Sequence, residues 1–451
     1  MSVVVNWDSA GIATRTDVEV SVRYIPIVEL LYVSAFVLLL LENALQTRIA
    51  SQFAYLDEAI CLAFCASAIA VSGGYGANRR HVLTDHQCWM ICAAIALSVL
   101  GLLGNIIEGI QPSTFAVAVD FLTCNKFIVA YISISLLLGD GQQGRVYRYC
   151  LAAGKLFLAF AAIFALINQF VGIGMNYESR FGIKAFLFVF GHPSNYAAAV
   201  VGILSLCLVD IEKNKGSIFI AMVLLVVSMR FKAIAFVGVV LLCVFLFNRS
   251  KRLSIGFLIT AGIAAIVLAS SQLDVYLSQE TARGVLMAKS FEVANDTFPV
   301  GSGFATYGSE ATKNAYPNLY YDLGFQNIYG LSADNPKYLS DMFYSTIIAQ
   351  FGWIGLFAFM FMLVHFFMDV AQVARDREIF FWAVMAIPIY FIIASTTEPS
   401  FFSSYSVYLA LCLVLICTSG AKQKDSSPKS LETVRYLGHE QQAHSVRELK
   451  L

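Results

Sequence analysis

The sequence predicts an all-α polytopic membrane protein of about twelve transmembrane helices, with a large loop domain on the outer side. Three observations predict it. Hydrophobic residues make up 58% of the 451-residue chain and charged residues only 13%, against about 45–50% and ~25% in soluble domains. Mean hydropathy is +0.71, and the apolar residues fall in runs near the roughly 20 residues that a bilayer core requires. One long polar stretch, 271–344, interrupts these runs. Ordering a backbone costs roughly 1–2 kcal/mol per residue, so a loop of that length between spans points to a function.

In chain order, residues 1–23 are polar (Asp8, Arg15, Asp17, Glu19) and lack the basic-then-apolar order of a signal peptide. They are expected to form a cytoplasmic N-terminal segment. Spans 1–9 occupy 24–270, with apolar runs at 25–45, 57–76, 87–107, 115–138, 149–172, 193–209, 217–230, 232–248 and 253–270. The seventh and eighth are divided at Ser228–Ala233 (SMRFKA), because two charges inside one continuous span are costly. The large periplasmic loop takes 271–344, and spans 10–12 take 345–419, with runs at 345–367, 379–396 and 403–419. Residues 420–451 are polar and poor in aromatics, which predicts a flexible cytoplasmic tail.

Basic residues in short loops orient the chain. Arg79, Arg80, Arg145, Arg148, Lys213, Lys215, Arg249, Lys251, Arg252, Arg375 and Arg377 fall on one side. With twelve spans, both termini are cytoplasmic and the long loop is periplasmic. Arg180, Lys184, Arg230 and Lys232 then lie on the wrong side for a topology signal. A formal net charge of zero argues against nucleic acid as a partner. Cys61/Cys65 and Cys88/Cys92 sit one helical turn apart without suitable ligands nearby, so they read as small hydrophobes and not as a metal site.

The outer-side cations define the candidate site. In Asn176–Tyr196, Pro193 suits the first turn of a helix, which puts His192, Ser194 and Asn195 at an N-terminus that favours an anion. Arg180 lies upstream, before a stretch (Phe186–Phe190) too short to cross and expected in the interface. Arg230 and Lys232 flank Phe231 at an outer turn. A guanidinium matches phosphate oxygens bidentately, so Arg230 could grip a diphosphate, although such a turn could equally bind lipid headgroups. The loop adds Arg283, Lys289, Lys313 and Lys337 against eight acids, together with eight tyrosines including Tyr307, Tyr316, Tyr320, Tyr321 and Tyr344. Aromatic faces beside carboxylates suit sugar rings, and they also suit a folded cap. In Phe298–Gly308 (FPVGSGFATYG), Gly301 and Gly303 could let backbone N–H groups approach an anion, or could simply form a turn. Asp341, just before the tenth span, is either a helix cap or a general base. Glu280 is a second candidate for positioning or deprotonating a hydroxyl. Of the intramembrane charges Glu29, Asp120, Lys126 and Lys155, Asp120 is close enough to the outer end of its span to join the site.

This layout resembles the Wzy-type O-antigen polymerase and O-antigen ligase superfamily. The resemblance covers roughly Asn176 to Leu356, through the basic outer connection, the Ser-x-Arg turn, the Arg-bearing loop with P-x-G-x-G-F, and the closing SDMFYSTIIAQFGWIGL. It implies a GT-C-like enzyme of the bacterial inner membrane, working at the periplasmic face without a metal, cofactor or nucleotide sugar. Its substrate would be an undecaprenyl-diphosphate-linked oligosaccharide held in the lipid bilayer, and a chain-length regulator would be a possible partner. Arg180 with Gly191 looks like the Arg-to-Gly pattern of the third periplasmic loop, Arg283 with Gly301 and Gly303 like that of the fifth, and Arg230 like the turn arginine. Asp341 and Met342 stand where ligases carry His-Asn, a departure that favours a polymerase. Arg283, Asp341 and Glu280 are then the expected catalytic residues. Arg180, Arg230, Lys232, His192, Tyr344, Gly301 and Gly303 are expected to bind substrate. A ligase acting on lipid A core or protein, and a lipid-glycan transporter, remain the alternatives.

Overall fold

A computed structural model describes residues 27–73, 83–138, 143–180, 182–249, 281–375 and 381–419. The described chain is mostly helical. Six helices are long and apolar enough to cross a membrane, and four further apolar helices are shorter. This is a membrane protein. The predicted ninth span at 253–270, both chain ends and Glu280 fall outside the described residues.

The helices are α1 (Ile27–Arg48), α2 (Leu56–Gly73), α3 (Asp85–Glu108), α4 (Thr114–Leu137) and α5 (Gln143–Val171), followed by α6 (Pro193–Leu208), α7 (Ile211–Val227) and α8 (Phe231–Arg249). Beyond the undescribed segment come α9 (Ala282–Asp296), the short α10 (Ala311–Asn314) and α11 (Leu319–Asp322), then α12 (Phe343–Arg375), α13 (Phe381–Ser395) and α14 (Tyr405–Ser419). Local chemistry sets several ends. Thr84 and Gln87 form a reciprocal capping box at α3, and Pro193 occupies the first turn of α6, where its missing N–H costs nothing. The expected break between spans seven and eight is a turn at Ser228–Arg230, with Met229 at φ 51°. Helices α6 and α14 are buried along nearly their whole length and form the centre of the bundle.

The segment after α5 departs from the all-helical expectation. Strands β1 (Asn176–Arg180) and β2 (Ile183–Phe186) form an antiparallel hairpin. The following stretch is not laid in an interface: Phe186, Phe188 and Phe190 are buried, and their rings meet Phe157 and Tyr196. Three aromatic residues at alternate positions gain more from the protein core than from headgroups.

The long loop is a folded cap. Leu286, Tyr307, Tyr320, Phe325, Leu331 and Leu339 make its own small core. The Tyr307 hydroxyl donates to the Leu286 carbonyl (2.7 Å), and the Tyr320 hydroxyl accepts from the Gly308 N–H (2.7 Å). These tyrosines hold the cap together, so of the two alternatives for Tyr307 and Tyr320 the folded cap holds: both are fully buried.

The cap is locked to the bundle by its glycine segment. Helix α12 is broken at Gly352 (φ 64°, ψ −170°), which displaces the N–H groups that would bond the preceding carbonyls. Ser302 and Gly303 donate their N–H groups to the Ala349 and Gln350 carbonyls instead, both at 2.9 Å. On the other side, Asn105 of α3 holds the Phe304 backbone at both ends, accepting its N–H and donating to its carbonyl at 2.8 Å each. Asp120 of α4 accepts from the Ala305 N–H (2.6 Å) and from the Gln350 side chain (2.9 Å). The cap therefore docks on α3, α4 and α12 through satisfied backbone groups.

Candidate functional site

One end of the bundle holds a cavity of about 1010 Å³ between the helices and the cap. Its walls come from the C-terminal end of α1, the N-terminal parts of α2, α4 and α6, the start of α8, the α13–α14 connection and the cap. In an up-and-down bundle these ends share one side. Arg145, Arg148, Lys213, Lys215 and Arg375 sit at helix ends on the opposite side.

Arg230 lines this cavity, positioned by the α7–α8 turn. Its guanidinium is 3.2 Å from His192 Nε2 and 5.2 Å from the centre of the Tyr177 ring. His192 caps α6, and its Nδ1 meets the Ser194 N–H at 3.3 Å. Both ring nitrogens thus face donors. Burial, reinforced by the Arg230 charge, pushes the imidazole down to about 4, so His192 is neutral near pH 7.

Lys232 stands behind Arg230. It is buried and pairs with Glu398 of the α13–α14 connection, which also accepts from the Tyr405 hydroxyl. Burial would raise the Glu398 carboxyl, but Lys232, Tyr405 and Ser194 together hold it below its ordinary range. Lys232 is therefore charge-balanced, and Glu398, which the sequence reading missed, lines the same cavity as Arg230. Only the adjacency of Glu398 to the last span hinted at it. A lone Glu beside Pro399 carries no spacing signal.

Arg283 and Asp341 also line the cavity, as an ion pair at 2.9 Å. Thr281 caps α9 by accepting from the Gly284 N–H (3.1 Å), and this cap presents Arg283 in the first helical turn. Asp341 turns its carboxylate to Arg283, so ion pairing displaces the helix-cap alternative. Burial raises the Asp341 carboxyl above its ordinary range, with Arg283 opposing that shift. At the cavity floor Lys126 pairs with Asp57 (2.5 Å) and Glu58 (2.8 Å), and Asp120 also reaches the lining.

The other expected site residues are placed differently. Arg180 ends β1, paired across the hairpin with Ile183. The hairpin residues Tyr177 and Glu178 reach the cavity, while the expectation that the Arg180 guanidinium faces it falls on a side chain outside the described residues, as does Glu280. Tyr344 is half-buried, meets the Phe343 ring edge-to-face and packs against the helical core, outside the cavity lining. Gly301 and Gly303 are corrected from anion binders to packing elements. A Cβ on Gly301 would sit 2.4 Å from the Gly352 nitrogen, and one on Gly303 would sit 2.5 Å from the Asn105 nitrogen. Their N–H groups bond the Thr297 and Gln350 carbonyls, which leaves them nothing to offer a ligand.

Among the described residues, no group of three or more His, Cys, Asp or Glu side chains is placed to hold a metal ion. Compared with known proteins, the chain matches no family model and no curated protein.

Proposed function

We propose that this protein is a glycan polymerase of the bacterial inner membrane. It would transfer an undecaprenyl-diphosphate-linked oligosaccharide to a sugar hydroxyl of another lipid-linked repeat unit. The reading includes twelve spans in a GT-C-like arrangement, with the cavity facing the periplasm. The observation that carries it is the meeting of Arg230 and Arg283, from separate segments, in one cavity beside a carboxylate.

In this reading the attacking hydroxyl oxygen forms a bond to C1 of the donor sugar as the bond from C1 to the diphosphate oxygen breaks. The leaving diphosphate takes the electron pair. Arg230 meets that growing charge with a planar donor fork, while neutral His192 adds no competing cation. Asp341 takes the hydroxyl proton, and Arg283 keeps its carboxylate ionised and aimed. Lys232, which lies off the cavity lining, supports the start of α8 through its pair with Glu398.

Purified protein supplied with lipid-linked repeat units should give a ladder of polymer. Arg230→Lys or Arg283→Lys should lower turnover on the order of 10²–10³-fold, the loss seen when one preorganised donor is removed. A single addition to lipid A core or protein would indicate the ligase alternative. Movement of the lipid-linked unit across vesicles without bond formation would indicate a transporter. An unchanged ladder from both lysine variants would sink the assignment.

A further inference from the structure

The phosphate-facing end of the cavity leaves open where the sugars lie, and the rim nearest Arg230 has an arrangement that the proposed chemistry does not use. Tyr338 lines the cavity, and its ring centre is 6.1 Å from that of Tyr329. Tyr329 is 72% exposed although it belongs to the folded cap, whose other tyrosines are mostly packed inside. The Tyr338 ring is fixed from behind: Gly330, at φ 83°, lies so close that a Cβ there would fall 2.2 Å from the ring, and the Gly330 carbonyl accepts the Tyr338 N–H at 2.8 Å.

Lys337 extends over Tyr338, with its ammonium 5.3 Å from the ring centre. The Tyr338 phenol, with Tyr329 and Tyr177 near enough to contribute, raises the Lys337 pKa and so keeps the side chain charged. Tyr177 belongs to the β1–β2 hairpin, and it connects this rim to the anion end: Arg230 lies over its ring, and its centre is 5.9 Å from that of His192.

We infer that the exposed Tyr329 ring, backed by Tyr338 with Lys337 over it, forms a ledge on which a pyranose ring of the glycan stacks as it leaves the cavity. The inference rests on the polymerase reading for the identity of the chain that passes there. Its chemistry is general. A sugar ring offers a face of C–H bonds to an aromatic π-surface and a ring of hydroxyls to donors and acceptors. An exposed phenol ring with a hydroxyl at its edge, beside one ammonium, presents both. The Tyr338 ring behind Tyr329 is held by packing against Gly330, which gives the ledge a fixed base. The ledge also continues the cavity in a useful direction. A donor whose phosphates lie at Arg230 must send its sugars away from them, and Tyr177 makes the hairpin and the cap share that exit.

Saturation-transfer NMR on the full-length protein in nanodiscs tests this, using the oligosaccharide released by mild acid from the lipid-linked units of producing cells. Irradiating aromatic protons should carry saturation to sugar C–H protons. Tyr329→Ala should remove most of that signal, and Tyr329→Phe should keep it. Tyr329 is chosen because its exposure makes misfolding a poor explanation, and Tyr338→Phe provides a second readout. In the polymer assay, Tyr329→Ala should raise KM about 3–10-fold with kcat little changed, the fold-change expected for loss of one aromatic contact. Equal saturation transfer in Tyr329→Ala would overturn the ledge. The two readings fail separately. Glycan binding without any polymer keeps the ledge and removes the polymerase, whereas normal polymer with unaltered KM does the reverse.

Discussion

Arg283 and Asp341 show how much of the site depends on single contacts. The pair is partly buried, so the Arg283 charge acts on the Asp341 carboxyl more strongly than it would in an exposed pair. Burial raises Asp341 and Arg283 lowers it, leaving a net upward shift. A general base must be ionised, so activity should fall as pH drops through this raised pKa. The acid limb of kcat/KM is expected above the ~3.9 of an ordinary aspartate. Arg283→Gln removes the opposing charge, so the limb should move to still higher pH in addition to any loss of rate. A pH–rate profile of the variant checks the sign, and a limb that moves down would refute the role given to Asp341. His192 was readable as a helix-cap residue from Pro193 alone. That it faces Arg230 was not, because 38 residues separate them.

The glycine segment and the break in α12 form one device. Gly301 and Gly303 both have positive φ (83° and 95°), and both face backbone atoms that cannot move aside. Gly303→Ala therefore combines left-handed strain with a clash against α3. It should cost at least the ~1–3 kcal/mol typical of such a backbone position, seen as a lower thermal midpoint in detergent. Asn105→Ala should destabilise the cap by about 1–3 kcal/mol for each Phe304 backbone group left unpaired. It should do so without moving the pH profile, since Asn105 does not line the cavity. The sequence showed the glycines but not their use. A turn, an anion nest and a helix-to-helix wedge all require the same small residues, and only the partner backbone distinguishes them.

Among the described residues, basic side chains gather at both ends of the bundle. The cavity end collects Arg230, Lys232, Arg283, Lys313 and Lys337 with their acids, while the opposite end carries the basic residues expected of a cytoplasmic face. Cysteine substitutions test the proposed orientation. A cysteine at Tyr329 should react with an impermeant thiol reagent from the periplasm, and one at Lys213 only after the cytoplasmic side is opened. The reverse pattern would invert the topology. Deep in the same end, Lys126 holds Asp57 and Glu58 across α2 and α4, with side chains almost wholly buried. Lys126→Met would leave buried carboxylates without a counter-charge, and should destabilise the fold by ~3–5 kcal/mol. Asp57→Asn in the same chain should recover part of that loss.

The sequence by itself determined the membrane class, the positions of the described apolar helices, the break at Ser228–Arg230, and which segments carry the cations found at the cavity end. Those properties follow from composition, length and local backbone chemistry, which act on neighbours along the chain. Tertiary structure alone decided which cations share a cavity, which tyrosines are core and which are rim, and that Lys232 is tied to Glu398. It also turned the connection after α5 into a strand hairpin over a buried aromatic cluster. Charge pairing and desolvation act over a few ångströms of space, and residues that close in the fold can stand far apart in sequence.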